Sequence, residues 1–296
     1  MALLGAIEAG GTKFICAVGE DAGSILERVS LPTITPAETL AACLAFFQGA
    51  AAEHGPISKL GIAAFGPLDL TPTSPTYGHL LETPKPGWSG TDLAGYFAGH
   101  LNVPVALDTD VNGAVLAEHK GGAAKACQTA VYITVGTGIG GGVLVNGRLL
   151  HGLIHPEIGH IAVPRAPGDE GFKSHCPYHA DCLEGLASGP AMKARWGQAA
   201  ETLPEGHEGW EMEAFYLAQL CRTLTVTLSP EVIILGGGVL MREGLLEKVR
   251  VRFDALMGGY LPLAARAGGL DRYIVRQSFG GQSGLVGAFA LAEDAA

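Results

Sequence analysis

The chain has 296 residues, 48% of them hydrophobic and 16% charged, enough for one large or two medium packed domains and too apolar to be disordered. A net charge of −10 with no basic stripe speaks against nucleic acid as a partner. Six Cys without a paired framework, and no basic-then-apolar leader before the first strand, give the expectation of a reduced, cytoplasmic protein without a signal peptide.

In chain order, apolar runs predict strands over residues 3–8, 13–18 and 25–31. Residues 36–54 read as a helix with Thr35 as N-cap and Glu38 in the first turn. A buried strand over 59–65 runs into Gly66-Pro67, and the Pro- and Gly-rich residues 69–90 form a loop. A helix over 91–100, a strand over 103–107 and a helix over 111–120 follow. Strands over 129–135 and 141–145 flank a glycine turn at 136–140. The run 126–145 is uncharged, but its Gly, Thr and Gln residues suit a strand–turn–strand and not a membrane span. Residues 152–189 are irregular and rich in Cys and His, and helical patterns fill much of 190–228. A buried strand over 232–235 then meets Gly236-Gly237-Gly238, and a helix closes the chain near 283–293.

This alternation is that of an α/β protein. The strand–glycine turn–strand of 129–145 repeats that of 3–18, so two related halves are expected. They are residues 1–115, with 283–296 packing back on them, and residues 116–282, which carry the Cys/His loop.

Three glycine turns follow strands: Gly10-Gly11-Thr12-Lys13, residues 136–142 and Gly236-Gly237-Gly238. Without Cβ atoms, successive backbone N–H groups can converge on phosphate oxygens, and a Thr hydroxyl adds a donor. One such turn often only closes a hairpin; three, two of them in matching places, point to a nucleotide. No turn has Walker spacing, and GTGIGG leads into a strand instead of a helix, so neither a P-loop nor a Rossmann site fits.

The segments IEAGGTK (7–13), FGPLD (65–69), TPKPGW (83–88), DTDVNGA (108–114), VGTGIGGG (135–142), HPEIGH (155–160), CPYHADCLEGLASGP (176–190) and ILGGGV (234–239), in this order, resemble the ROK family of sugar kinases and within it the bacterial fructokinase branch. The resemblance implies a two-domain actin-like ATPase (ribonuclease H-like) fold with nucleotide and sugar meeting in an interdomain cleft. It implies ATP with Mg2+, a hexose acceptor with fructose foremost, no membrane, and a homodimer. It would put ATP phosphates on Gly10, Gly11, Thr12 and Lys13 and on Thr137, Gly138 and Gly140, with adenosine near Gly236, Gly237 and Gly238. Other hexoses (glucose, mannose or allose) remain open as acceptors. A sugar-responsive repressor is disfavoured by the acidic charge and by a first strand starting at Leu3, which leaves no room for a helix-turn-helix. Intact glycine turns and Asp110 speak against a non-catalytic sugar binder.

His160, Cys176, His179 and Cys182 have the spacing H-x15-C-x2-H-x2-C, two soft thiolates and two imidazoles that can complete a closed tetrahedral zinc site. His175 competes for one position, and His151 and His155 read as loop histidines. Such a zinc would be structural, since four protein ligands leave no open position. It would also fix two acids beside its ligands, Glu157 and Glu184. The resemblance carries sugar contacts onto Glu157, His160 and Glu184.

Asp108, Thr109 and Asp110 stand where an apolar strand gives way to a helix, a usual place for chemistry in α/β proteins. By family position Asp110 is the base that takes the proton of the attacking hydroxyl. The plainer reading makes it the helix N-cap; Asp108 caps the helix or orients water around magnesium. Family members commonly have Asp where Glu8 stands and Asn where Thr109 stands. Glu8 is expected to orient hydrated magnesium from a longer arm. Thr109, in the sugar-binding position, lacks the amide that could read a hydroxyl.

Overall fold

The structure is a computed structural model, and residues 3–262 and 268–295 are described. It divides into two compact units. The first comprises Met1–Gly121, Leu149–Pro156 and Gly281–Ala296, and the second Gly122–Arg148 and Glu157–Gly280. A division at 115/116, as expected from the sequence, would cut a helix that runs unbroken over Asp110–Gly121. Residues 1, 2 and 296 of the expected first domain lie outside the described residues.

In the first unit, β1 (Leu3–Ala9), β2 (Lys13–Gly19), β3 (Ile25–Pro32), β4 (Ile57–Ala64) and β5 (Val105–Thr109) form a sheet of order β3-β2-β1-β4-β5. The β1–β2 and β2–β3 pairs are antiparallel, and the β1–β4 and β4–β5 pairs are parallel. Strand alternation sends Ile7 and Ala9 to one face, into a core with Phe14, Phe47, Trp88 and Phe97. Leu4 and Ala6 face the other way, into a core with Leu116, Leu285 and Phe289. The first face is covered by α1 (Pro36–His54) and α2 (Ala94–Leu101), the second by α3 (Asp110–Gly121) and the C-terminal helix Ser283–Asp294.

Helix α1 starts as its sequence directs. Thr35 accepts from the Glu38 N–H at 3.3 Å and donates its hydroxyl to the Glu38 carboxylate, with Pro36 in the first turn. Helix α2 starts later than residue 91, because Thr91 and Asp92 are held in contacts with Leu80 and His79. Strand β5 begins at Val105 and continues through Asp108 and Thr109. Pro104, which has no N–H to give a ladder, precedes it.

The C-terminal helix packs so closely that glycine is required beneath it. A Cβ on Gly61 of β4 would stand 1.9 Å from the Ala288 carbonyl oxygen, and one on Gly287 would stand 2.3 Å from the Gly113 carbonyl carbon of α3.

In the second unit, β6 (Ala130–Val135), β7 (Ile139–Val145), β8 (Arg148–Leu149), β9 (Val232–Gly236) and β10 (Ile274–Arg276) form a sheet of order β10-β9-β6-β7-β8. The β6–β7 pair is antiparallel, and β6–β9 and β9–β10 are parallel. The unit also holds α4 (Leu183–Ala187), α5 (Gly189–Trp196), α6 (Gly209–Leu228) and α7 (Leu245–Met257). Among the described residues, no helix is long and apolar enough to cross a membrane.

Two glycine substitutions should separate close packing from helix propensity. Gly287→Ala should destabilise the protein by about 1–3 kcal/mol, because the neighbour is backbone and cannot turn aside. Gly49→Ala, on an exposed part of α1 with nothing within 4 Å of the new Cβ, should be neutral or stabilising. The gain expected there is up to about 1 kcal/mol. Urea or thermal unfolding of both variants measures the contrast.

Candidate active site

In the first unit, the end of β5 and the start of α3 carry Asp108, Thr109 and Asp110. Asp108 is buried and collects three donors. Its Oδ1 accepts from the Thr109 N–H at 2.7 Å and from Asn112 Nδ2 at 2.8 Å, while its Oδ2 meets His151 Nε2 at 2.8 Å. That hydrogen bond holds the His151 imidazole above its ordinary pKa. Asp108 is thus a buried anchor and not the helix cap. The cap is Thr109, whose hydroxyl accepts from the Asn112 N–H at 3.1 Å. Thr109 is itself buried, and its hydroxyl keeps a proton to donate beside this cap.

Asp110 is the first residue of α3, with its Oδ1 accepting from the Val111 N–H at 2.9 Å. Burial pushes its carboxyl up to about 6, against a smaller opposing effect of the Val111 N–H. Glu8, near the end of β1, is also raised, first by burial and then by the charge of Asp110. Its carboxylate lies against Gly284 at the start of the C-terminal helix, and its Oε2 is buried with no hydrogen-bond partner among the described residues. Two neighbouring carboxylates, one with an unsatisfied buried oxygen, suit a hydrated divalent cation.

His151 and His155, read from sequence as loop histidines, both belong to this unit. His155 is buried, and its Nε2 accepts from the Leu68 N–H at 3.1 Å; burial lowers its pKa. The only signal for them was their spacing of four residues just before Glu157, which predicts no partner by itself. The turn Gly10–Lys13 closes on the hydrogen bond from Gly10 N–H to the Lys13 carbonyl, 2.9 Å, with Gly11, Thr12 and Lys13 exposed.

In the second unit the turn between β6 and β7 is tighter than expected. It spans residues 136–138, and Gly140 lies inside β7, paired with Thr134. Gly136 and Thr137 line a cavity of about 1020 Å³ together with Gly238, Lys193, Trp210 and Arg242. Gly236 and Gly237 lie beside it. Gly237 has φ +89° and no room for a side chain, since a Cβ would stand 2.3 Å from the Val135 carbonyl oxygen. The cavity joins two of the three glycine turns and carries two cationic side chains, Lys193 and Arg242, beside two acidic ones, Glu201 and Glu243. The Arg242 guanidinium lies 5.2 Å from the Trp210 ring centroid.

His160, Cys176, His179 and Cys182 offer ligand atoms that all lie within 4.8 Å of one another. Cys176 Sγ is 3.8 Å from His160 Nδ1 and 3.7 Å from His179 Nδ1. Tetrahedral zinc bonds of about 2.0–2.3 Å put ligand atoms about 3.5 Å apart, so the donor set fits. His175 is outside the cluster and exposed; its backbone N–H donates to the Gly185 carbonyl at 2.8 Å.

The cluster adjoins the glycine turn through Glu184 of α4. Its Oε2 accepts from the Ile139 N–H at 2.9 Å and its Oε1 lies 3.9 Å from His160 Nε2. Glu157 is exposed at the start of the short turn that carries His160. A buried ion pair steadies this irregular region: Arg195 of α5 makes two bonds to Asp169, at 2.8 and 3.0 Å, and Arg165 donates to the Phe172 and Ala180 carbonyls.

Residues 4–295 match the ROK family, and the chain belongs to it. It is 43% identical over 293 residues to a fructokinase of Pediococcus pentosaceus, covering 99% of this chain and 98% of that one. A Zymomonas mobilis fructokinase is 44% identical, covering 98% and 96% of the two chains. Among solved structures, a ROK family glucokinase from Streptomyces griseus in complex with glucose and AMPPNP is similar with a TM-score of 0.76 and 26% identity. That likeness covers 99% of this chain and 100% of that one. The two α/β units accordingly have the actin-like ATPase fold of ROK sugar kinases.

Proposed function

We propose that this protein is an ATP-dependent hexose kinase whose acceptor is D-fructose and whose product is fructose 6-phosphate. The observation that carries the kinase reading is Asp110, a carboxylate raised to about 6 on the first residue of a helix. The choice of fructose rests on full-length likeness to fructokinases.

In this reading Asp110 accepts the proton of the C6 hydroxyl as its oxygen bonds to the γ-phosphorus, and the bond to the β-phosphate oxygen breaks to release ADP. A carboxyl near 6 is ionised at neutral pH and still basic enough to share that proton. Glu8 would hold hydrated Mg2+, which neutralises phosphate charge when bound. Gly10, Gly11, Thr12 and Lys13, and Thr137 and Gly138, are assigned to the phosphates; Gly140, which lies in β7, joins them only by adjacency. The cavity beside Gly236, Gly237 and Gly238 is assigned to adenosine. Thr109, Glu157, His160 and Glu184 are the assigned sugar contacts, and Thr109 also caps α3. A structural zinc on His160, Cys176, His179 and Cys182 would leave His160 Nε2, on the Glu184 side, for the sugar. A homodimer and a cytoplasmic location accompany this reading.

A coupled assay of ATP turnover across free hexoses tests the function. Fructose should give the highest kcat/KM, and a higher value for glucose or mannose would overturn the acceptor while leaving the kinase. Asp110→Asn should lower kcat by at least about 10²-fold in a protein that still folds. Because Asp110 must be ionised to act, wild-type kcat/KM should be flat above pH 7. Below about 6 it should fall toward tenfold per unit. A variant keeping more than about a tenth of wild-type kcat would remove Asp110 from the mechanism. Metal analysis of protein purified without added zinc should find about one zinc per chain. Cys176→Ser should lose the metal and with it sugar affinity, and full metal content in that variant would sink the site.

A further inference from the structure

We propose that His151 is a sugar-binding, specificity-determining residue that reads one hydroxyl of the hexose; this rests on the hexose-kinase reading above. Thr109, the residue beside the proposed catalytic carboxylate, is buried and its hydroxyl oxygen already accepts from the Asn112 N–H, so a more exposed group at this strand end is better placed to read a sugar hydroxyl.

His151 is placed to supply it. Its Nε2 is bound to Asp108, two residues from Asp110, while its side chain is 37% exposed against 5% for Asp108. Among the described residues its Nδ1 has no partner. Donation of the Nε2 proton to a buried carboxylate fixes the ring's tautomer and plane, as a carboxylate does for a working histidine. Nδ1, on the other side of the partly exposed ring, is then free to accept from a hydroxyl, or to donate to one if the ring is protonated. A sugar hydroxyl can meet either need. The support is rigid, because His155, four residues on, is buried and bound to the Leu68 N–H at 3.1 Å. Glu8, Asp108 and Asp110 gather three carboxyl groups in this unit, which repels an anion and favours a neutral polyol. The ligand class His151 would read is therefore a neutral polyol such as a free hexose, which needs no compensating cation beside it.

The test uses His151→Ala and His151→Gln in steady-state kinetics with fructose and its monodeoxy analogues, beside calorimetric binding of the same sugars. His151→Ala should raise KM for fructose about tenfold, the loss of one good hydrogen bond, with KM for ATP within about twofold of wild type. His151→Gln keeps a donor for Asp108 and an acceptor beyond it, so it should recover part of the affinity; it carries the comparison if the Ala variant does not fold. The penalty should vanish for the one analogue lacking the hydroxyl that His151 reads. An equal penalty for every analogue, or unchanged KM for fructose, overturns the assignment. Wild-type protein that binds hexose but transfers no phosphoryl group would sink the kinase reading alone, and weaker binding by His151→Ala would still support His151. Wild-type protein that binds no hexose overturns both.

Discussion

The first unit is organised around one buried charge. A carboxylate removed from water must collect donors, and leaving one uncompensated costs about 3–5 kcal/mol. Asp108 collects three, from the Thr109 backbone, the Asn112 side chain and the His151 ring. They come from the end of β5, the first turn of α3 and the segment 149–156. The same carboxylate therefore fixes where the strand stops, where the helix starts and where a distant piece of chain is pinned. Asp110 inherits its position from that arrangement. It follows the capping residue Thr109 and precedes the first N–H groups of α3, with no freedom to slide along the chain.

The second unit solves a related problem with less regular structure. Residues 157–182 contain one short 3-10 turn and an isolated bridge, yet they place Glu157 and His160 beside Glu184 of α4. The Ala162–Cys182 bridge, the buried Arg195–Asp169 pair and Arg165 reaching loop carbonyls tie the segment together and bring the His/Cys cluster into one place. Glu184 then passes that order on. It accepts from the Ile139 N–H at the base of the glycine turn and presses so close to Gly138 that a Cβ there would stand 2.7 Å from its Oε2. The turn that lines the cavity is shaped by the loop that holds the cluster.

Sequence revealed most where local chemistry decides the structure. The Thr35 cap, the strand–glycine turn–strand pairs and the α/β class follow from periodicity, capping residues and turn residues acting over a few positions. The four-residue His/Cys cluster was legible because soft ligands are scarce elsewhere in the chain. What escaped depends on contacts distant in sequence. The bridges of His79 and Leu80 to 91–92 delay α2, and nothing local to residue 91 announces them. The roles of His151 and His155 come from Asp108 and Leu68, 43 and 87 residues away. The return of 149–156 to the first unit rests on these same contacts and is likewise not announced locally.

Asp110 itself is held at a cost to folding. Its carboxyl lies near 6 in the folded chain against an ordinary 3.8, so the ionised form is disfavoured in the folded state. For an acid with a raised folded pKa, stability falls as pH rises from about 4 to about 6 and stays lower above that. At about 1.4 kcal/mol per unit, the deficit at neutral pH is at most about 3 kcal/mol. Glu8, also raised by burial and by Asp110, adds to it. Neither group is needed for the core, which is apolar on both faces of the sheet. The stability that offsets them lies in the apolar packing on both faces of the sheet and in the glycine-tight seat of the C-terminal helix. Two carboxylates raised by burial and held in a well-supported frame are what the proposed base and cation roles would require.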